Sequence, residues 1–353
     1  MATVEIDGAD GGGQVVRTAL SLAAVTGRRV RVEDVRGARP NPGLRPQHLA
    51  AVALLAAACD ADVEGAELDS RTVTFAPRTV RGGDLTGDVG TAGSVALVFD
   101  ALLPLAAVLD APLTVEAVGG TDVTWSPPIE YPRRVKLPLL REYGLDASID
   151  CERTGFYPAG GGRATLELRP SALAPIRLTE RGPLRRVGVY SKASASLAAA
   201  EVADRQATAA AEILGASALP VEVERVEYVE ADSPGSSILL VGEYGRTRVG
   251  ASALGERGKP SEAVAADAAS AFEALHDAGA VVDPHLADQL LVALALSGGV
   301  LEIPRVTDHV RTNLAAIRAF GCEAILDERP DGTARVRVET PLAPRGGTSP
   351  RSG

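Results

Sequence analysis

The chain has 353 residues, of which 46% are hydrophobic and 23% charged, and its formal net charge is −10. This balance is typical of a soluble globular protein, and the length favours two domains or one large domain with an insertion. The acidic excess excludes a general nucleic-acid-coating surface, and the apolar runs are too short or too interrupted for a membrane span. Three scattered cysteines without C-x-x-C spacing and a polar opening segment favour a cytoplasmic protein.

One pattern of elements occurs three times along the chain. An apolar helix comes first, predicted over residues 18–26, 94–109 and 288–296. A strand that ends in a polar motif follows a tight turn, over residues 29–35, 113–118 and 300–306. A second helix is predicted over residues 48–59, 133–143 and 311–320. Two strands complete each copy, over residues 61–64 and 72–75, 145–150 and 164–168, and 323–326 and 334–338.

These patterns predict a mixed α/β (α+β) fold in which three β-α-β-α-β-β repeats form one large domain, residues 1–185 plus 281–340. Residues 186–280 lie between the second and third copies and have their own strand and helix pattern, so we expect a small inserted α+β domain there. Residues 341–353 are rich in Pro, Gly, Ser and Arg and are predicted to be disordered. We expect the polar motifs, which share one position in each repeat, to meet at one end of the assembly.

A glycine run at residues 11–13 opens the first helix. Free backbone N–H groups and the positive helix end are suited to a phosphate there, and Asp10 could hold a metal or orient a hydroxyl. The alternative is a plain tight turn between strand and helix.

Arginines and prolines share the loop at residues 36–48. Three prolines stiffen a loop that carries Arg36, Arg39 and Arg45, and rigid guanidinium groups form good bidentate receptors for phosphate. Arg17, one turn into the first helix, could join them from the side. The alternative is a set of surface arginines on a solvated loop, and we favour the phosphate site.

The chain has only four histidines, and His309 lies at a strand-to-helix turn among polar residues. A histidine there can act as nucleophile, base or metal ligand, or it can simply cap the helix. The sequence gives no support for covalent chemistry on a lysine, because none of the three lysines lies in a recognisable motif. A phosphate-binding G-x-x-x-x-G-K sequence is also absent from the sequence.

Two polar residues, Asp288 and Gln289, open the otherwise apolar helix near residue 290. Such residues are good helix caps, and capping is the simpler interpretation. The other interpretation is that they bind a base or a ribose.

Taken together, these strings resemble the RNA 3′-terminal phosphate cyclase family over residues 4–340. The matching strings are GGGQVVR (11–17), RPNPGLRPQHL (39–49), TAGS (91–94), GGTD (119–122), GFYPAGGG (155–162), ERG (180–182), GERG (255–258) and HLADQ (285–289). Each string is weak alone, but their order and spacing together are specific.

The resemblance implies ATP-dependent conversion of an RNA 3′-phosphate to a 2′,3′-cyclic phosphate. ATP adenylylates a histidine, AMP passes to the RNA end to give RNA-(3′)pp(5′)A, and the neighbouring 2′-hydroxyl then expels AMP. The family's histidine lies in a His-x-x-Thr-Asn string, which is His309 to Asn313 here. ATP and Mg²⁺ (or Mn²⁺) are the implied cofactors and RNA 3′-phosphate ends the implied partner. Nothing in the sequence indicates a membrane or an obligatory protein partner.

The resemblance also implies the site residues. The nucleotide would contact His285, Leu286, Ala287, Asp288, Gln289 and Asp100, with Pro128 or Tyr131 as a wall opposite His285. The substrate phosphate would contact Arg17, Arg36, Arg39 and Gln47, and Asp10 would meet the metal. Two positions depart from the family: Asp100 replaces a Gln, and an ionised Asp cannot donate a hydrogen bond. Asp10 belongs to a glycine run two residues shorter than usual.

Two rival classes share this architecture. A non-catalytic cyclase-like protein of RNA processing or ribosome biogenesis is the alternative function, and it is not expected to keep His309. An enolpyruvyl transferase would need several lysines that bind phosphate and carboxylate, whereas this chain has three lysines in all.

Overall fold

The computed structural model describes residues 2–90 and 92–345. The first repeat consists of β1 (Val4–Asp7), α1 (Gly13–Thr26), β2 (Val30–Glu33), α2 (Pro46–Cys59), β3 (Asp62–Glu64) and β4 (Val73–Ala76). The second consists of β5 (Gly83–Asp88), α3 (Val95–Leu102), β6 (Leu113–Gly119), α4 (Leu137–Glu142), β7 (Ala147–Arg153) and β8 (Gly162–Leu168). A π-helical turn, Pro132–Lys136, leads into α4.

The third repeat is interrupted after its first strand, β9 (Ile176–Leu178). The inserted segment follows, with β10 (Leu184–Ser194), α5 (Val202–Ala216), β11 (Val221–Val229), β12 (Ser236–Tyr244), β13 (Arg248–Leu254) and α6 (Ser261–Asp277). The repeat resumes with α7 (Pro284–Gln289), α8 (Leu291–Ser297), β14 (Gly299–Ile303), α9 (Asp308–Ala319), β15 (Ala324–Glu328) and β16 (Ala334–Val338). The sequence-based prediction put this segment between two repeats. The parallel pairing of β9 with β14 puts it inside the third.

The three repeat sheets have one topology. Their strand orders are β1-β2-β4-β3, β5-β6-β8-β7 and β9-β14-β16-β15. In each sheet the first strand pairs in parallel with the second, and the remaining pairs are antiparallel. This common order confirms the predicted α/β (α+β) fold of three β-α-β-α-β-β repeats.

The repeats share one hydrophobic core, because α1, α2, α3 and α9 pack against one another. The inserted segment has a second core between its own sheet, of order β11-β10-β12-β13, and the helices α5 and α6. Phe272 of α6 is fully buried in it. The domain boundaries at residues 185/186 and 280/281 stay a prediction.

The segment after β16 extends along the repeats as far as the structure describes it. The Leu342 N–H donates to the Ala295 carbonyl over 2.8 Å, and the Arg345 N–H donates to the Val25 carbonyl over 2.8 Å. The rest of the predicted disordered tail, residues 346–353, lies outside the described residues. Within residues 2–90 and 92–345, no helix combines the length and hydropathy needed to cross a membrane.

A buried polar cluster joins the inserted segment to the second repeat. The Asp122 carboxylate accepts hydrogen bonds from the hydroxyls of Thr121 and Ser237, each over 2.7 Å, and lies 3.6 Å from Lys192 Nζ. The polar motif after β6 therefore contacts the inserted segment, although the repeat pattern predicted a shared active end for all such motifs.

Asp283 makes a second connection of this kind. Its buried carboxylate accepts four hydrogen bonds: from the N–H groups of His285 (2.9 Å), Leu286 (3.0 Å) and Gly250 (2.9 Å), and from the Tyr131 hydroxyl (2.6 Å). These donors belong to α7, to the inserted strand β13 and to the second repeat. One side chain therefore caps a helix and ties three parts of the chain together.

We predict that Asp283→Ala lowers the free energy of unfolding by about 3 kcal/mol or more, because it leaves several buried donors unpaired. Equilibrium urea unfolding followed by circular dichroism measures this change. Asp283→Asn keeps one acceptor oxygen and should lose less. Glu212→Ala, an exposed change on α5, is the control and should stay within about 0.5 kcal/mol of the original protein. A loss no larger than that control's would contradict the role of Asp283.

Candidate functional site

Side chains from all three repeats line one cavity. Arg17 comes from α1, Asp100 from α3, Lys136 from the turn before α4, and Asp288 and Gln289 from α7. The structure therefore brings together four of the residues predicted from the sequence. It also adds Lys136, which the sequence did not single out.

His309 lies beside this cavity, exposed in the first turn of α9. The hydroxyl of Thr307 caps that helix by accepting from the Val310 N–H over 3.2 Å. A methyl group built on Gly12 would lie 3.5 Å from His309 Cε1 and 3.6 Å from Arg39 Nη2. The glycine run, the arginine loop and the histidine therefore meet at one point.

The start of α1 is open at that point. Gly12 occupies the N-cap position and has no side chain to accept hydrogen bonds from the first N–H groups of the helix. Unpaired N–H groups and the positive end of a helix bind anions well. An anion between His309 and Arg39 would meet these groups.

His48 explains why α1 begins with glycine. A Cβ on Gly13 would lie 1.9 Å from His48 Nε2, so no larger residue fits without displacing the buried imidazole. His48 Nδ1 accepts from the Arg45 N–H over 2.9 Å. Burial lowers the pKa of His48 to about 3, and the guanidinium groups of Arg17, Arg36 and Arg45 lower it further in the same direction. His48 is therefore neutral and supports the site as a packed ring.

The predicted phosphate-binding residues have different surroundings. Arg36 Nη1 donates to the carbonyls of Asn41 (2.7 Å) and Gly43 (3.1 Å) and so fixes the loop, whereas the Arg39 side chain is exposed. Burial lowers the pKa of Arg36, and the neighbouring guanidinium groups act in the same direction.

Arg17 and Gln47 line two different cavities. Burial lowers the pKa of Arg17 to about 10 despite the attraction of Asp288, which leaves it cationic at neutral pH. Gln47 Oε1 accepts from the Ser94 N–H over 3.2 Å and lines a different cavity, shared with Trp125.

Helix α7 presents its last two residues, not its first, to the cavity. Because Asp283 caps this helix, Asp288 and Gln289 are free of the capping role that the sequence left open. Burial raises the pKa of Asp288, and its electrostatic interactions with His309, His285 and Lys136 act in the opposite direction. Leu286 and Ala287, the two residues before Asp288, are buried in the hydrophobic core and hold the helix in place.

Tyr131 and Pro128, the two walls proposed opposite His285, lie in different surroundings. His285 is exposed, and the buried Tyr131 ring meets it edge-on, with 5.5 Å between ring centroids and 75° between planes. Pro128 lines another cavity, next to Lys192. Its neighbour Pro127 shares a small cavity with Asp100, Tyr131 and Gln289.

The fold shows the surroundings of two further residues of the site, Asn313 and Lys136. Asn313 is buried; its amide donates to the Asp288 carbonyl over 2.9 Å and its oxygen accepts from the Thr18 hydroxyl over 2.7 Å. It ties α1, α7 and α9 together behind His309. The His-x-x-Thr-Asn string was the sequence signal for Asn313.

Lys136 had no such sequence signal. It is buried and forms an ion pair with Asp100 at the cavity wall. Burial lowers its pKa to about 7, Arg17 acts in the same direction, and Asp288 opposes both. Lys136 could not be singled out from the sequence, because neither its burial nor its ion pair with a residue 36 positions away produces a local motif.

Asp10 lies exposed in the turn before α1. Within residues 2–90 and 92–345, no three His, Cys, Asp or Glu side chains are grouped so as to hold a metal ion. A divalent cation at Asp10 would take most of its ligands from elsewhere, as Mg²⁺ does when it binds through one or two carboxylates and substrate phosphates.

Comparisons with known proteins show which family the chain belongs to. The sequence model of the RNA 3′-terminal phosphate cyclase family matches residues 9–325. The chain is 46% identical over 338 residues to the RNA 3′-terminal phosphate cyclase of Halobacterium salinarum. This alignment covers 93% of the chain and 97% of the relative. The chain is 40% identical over 320 residues to that of Pyrococcus furiosus (89% and 92%), and 39% identical over 353 residues to that of Methylococcus capsulatus (96% and 97%).

A three-repeat fold with its polar cavity between repeats thus defines the class, and the sequence match defines the family. The chain belongs to the RNA 3′-terminal phosphate cyclase family and is an enzyme of that family.

We predict an acid-sensitive contribution of His48 to stability. The pKa of His48 is about 3 in the folded state against an ordinary value of 6.5, so below pH 6.5 the unfolded chain binds a proton that the folded chain does not. The stability from this group is present above pH 6.5 and is lost as pH falls toward 3, by up to about 1.4 kcal/mol per unit.

His48→Asn tests this linkage, because the Asn oxygen can accept from the Arg45 N–H without titrating. Urea unfolding at a series of pH values between 6.5 and 4.5 should show a flatter pH dependence in the variant. Parallel curves for the two proteins would contradict the linkage.

Proposed function

We propose that this enzyme uses ATP to convert RNA 3′-phosphate ends to 2′,3′-cyclic phosphates through an adenylylated His309. The observation that carries the proposal is the meeting of His309, Arg39 and the open start of α1 at Gly12. A nucleophile, a bidentate cation and free N–H groups then surround one position for a phosphate.

In the first step the neutral imidazole of His309 attacks the α-phosphorus of ATP. An N–P bond forms, the bond from the α-phosphorus to the bridging oxygen breaks, and pyrophosphate leaves with the electron pair. The Asp288 carboxylate, whose charge interacts with His309, would stabilise the positive charge that develops on the ring. The N–H groups of α1 would stabilise negative charge on the phosphate oxygens.

In the second step an oxygen of the RNA 3′-phosphate displaces His309 from AMP, giving RNA-(3′)pp(5′)A. In the third the vicinal 2′-hydroxyl loses its proton, attacks the former 3′-phosphorus and expels AMP. Arg39 and Arg17 would hold the RNA phosphate, with Gln47 beside it. Arg36 would contribute through the loop that it fixes with its bonds to Asn41 and Gly43.

The nucleoside would occupy the cavity beside His309. Asp288 and Gln289 would bind its polar edges, and His285 would stack on the base from its exposed position. Asp100 would act together with Lys136. A glutamine amide carries both a hydrogen-bond acceptor and a donor, and in this chain the Asp100 carboxylate supplies the acceptor and the Lys136 ammonium supplies the donor. Mg²⁺ or Mn²⁺ bound at Asp10 would supply charge neutralisation of the ATP phosphates.

RNA 3′-phosphate ends are the only partner that this proposal requires, and a cytoplasmic location is proposed with it. The alternative, a non-catalytic cyclase-like protein of RNA processing or ribosome biogenesis, would have no use for a histidine at this position. His309 at the meeting point of three strings favours the enzyme.

We predict that His309 is the residue that carries AMP. Incubation with ATP labelled at the α-phosphorus should give labelled protein, His309→Asn should give none, and His276→Asn, on the remote helix α6, should label normally. Peptide mapping by mass spectrometry then locates the adduct. Lys136 is the rival nucleophile because its pKa is near neutrality, so AMP on the Lys136 peptide would overturn the assignment.

We predict that Arg39→Ala impairs AMP transfer to RNA more than it impairs self-adenylylation. Losing a charged bidentate contact should slow transfer by about ten- to a hundred-fold. Single-turnover transfer from purified adenylylated enzyme to a 3′-phosphorylated RNA measures this step alone. Arg39→Lys keeps the charge without the fork and should fall between the two proteins. Equal losses in both steps would assign Arg39 to the ATP phosphates instead.

A further inference from the structure

Two of the most exposed aromatic side chains lie together beside the proposed active site. Trp125 is 98% exposed and Tyr157 is 67% exposed, and both line the cavity that contains Gln47 and Ser94. Large aromatic rings left in water in this way are unusual on a protein surface unless they serve a contact.

The backbone of Trp125 adds an independent sign. Its φ is +71°, in the left-handed region that bulky residues rarely adopt. Backbone strain of this kind persists at sites where a side chain must be presented in one direction. The fold therefore holds an exposed indole in a conformation that costs stability.

The surface continues from Tyr157 onto the inserted segment. Tyr157 and Pro158 line both the Trp125 cavity and a second one, which Arg257 and Lys259 also line. Arg257 is exposed and forms no ion pair with any residue in 2–90 or 92–345, while Lys259 pairs with Asp267. An exposed guanidinium without an ion-pair partner among the described residues therefore lines the cavity that adjoins Tyr157.

The groove shares one residue, Gln47, with the proposed site of the substrate phosphate. Gln47 precedes His48, whose ring packs against Gly13 at the start of α1, and Gln47 itself lines the groove. A chain whose terminal phosphate is held by Arg39 and Gln47 can therefore continue along Trp125 and Tyr157, which line the same cavity as Gln47. This continuity, and not the exposure alone, indicates what the groove holds.

We propose that this groove, lined by Gln47, Trp125, Tyr157 and Arg257, binds the single-stranded RNA next to the 3′-phosphate. Bases stack on Trp125 and Tyr157, and an upstream backbone phosphate pairs with Arg257. Stacking suits any base sequence, because every base has a π-face. It also suits a chain of net charge −10, because it does not depend on a broad basic surface. The inference rests on the proposed function, which supplies the RNA end.

The chain has one tryptophan, so its fluorescence reports on Trp125 alone. Titration of the full-length protein with a single-stranded oligoribonucleotide ending in a 3′-phosphate should quench this fluorescence to saturation. Adenosine 3′-phosphate, which has no upstream nucleotides, should quench little. The quench should persist at raised salt, with only a shallow loss of affinity, because stacking is not screened.

Substitutions test whether the stack matters for turnover. Trp125→Ala should raise KM for the oligonucleotide by about five- to a hundred-fold, with a much smaller effect on adenosine 3′-phosphate. Trp125→Phe should recover most of the affinity. Trp125→Gly should lose the same affinity as Trp125→Ala while unfolding at an equal or higher temperature, since glycine relieves the positive φ. Leu68→Ala, another exposed apolar residue, is the matched control with unchanged KM.

The two proposals fail in different ways. Self-adenylylation by ATP needs no RNA, so its absence in the original protein would overturn the proposed function itself. If the protein adenylylates but Trp125→Ala leaves KM for the oligonucleotide unchanged, the groove does not bind RNA. If Trp125→Ala instead converts a dimer to a monomer in light scattering with KM unchanged, the groove is an interface between copies, which also overturns the inference.

Discussion

The buried Asp283 carboxylate is the interaction on which the arrangement of the site depends. A carboxylate removed from water is costly unless each oxygen accepts hydrogen bonds, and Asp283 accepts four. Its donors fix where α7 begins, how Tyr131 is held and where strand β13 of the inserted segment lies. The chain returns from the inserted segment to the third repeat at this residue. The Asp283 carboxylate therefore fixes the inserted segment to the repeat and also orients α7. Asp288 and Gln289, five and six positions later, then face the cavity.

Most of the fold could be predicted from the hydrophobic periodicity and the turn residues of the sequence. The helices could be predicted because each is either apolar throughout, like α2, or apolar along one face, like α9, and the shared order of elements revealed the repeats. The first strand of the third repeat could not be predicted in its place. β9 has only three residues, and its parallel partner β14 lies beyond the whole inserted segment. A pairing over that distance leaves no local signal.

The site divides in the same physical way. Arg17, Arg39, Asp288 and His309 could be named because each belongs to a string with a chemical reason for its spacing. Lys136 could not, because its importance comes from burial and from an ion pair with Asp100. The division of labour between Arg36, which fixes the loop, and Arg39, which stays exposed, also depends on tertiary contacts. The residue types predicted a cationic loop, but only the structure shows that Arg36 stabilises the loop and that Arg39 remains exposed.

The Lys136 pair also gives a reason for the departure at Asp100. The resemblance implies a glutamine there, which would leave the buried ammonium of Lys136, near Arg17, without its ion-pair partner. An aspartate neutralises that ammonium, because an unpaired buried charge is far more costly than a buried pair. His48 solves a related problem near the arginines by remaining neutral. Lys136 is thus paired at the nucleoside side of the site, whereas Arg39, where phosphates are proposed to bind, forms no ion pair with any residue in 2–90 or 92–345. An acidic protein can in this way confine its attraction for RNA to one end of the chain that it acts on.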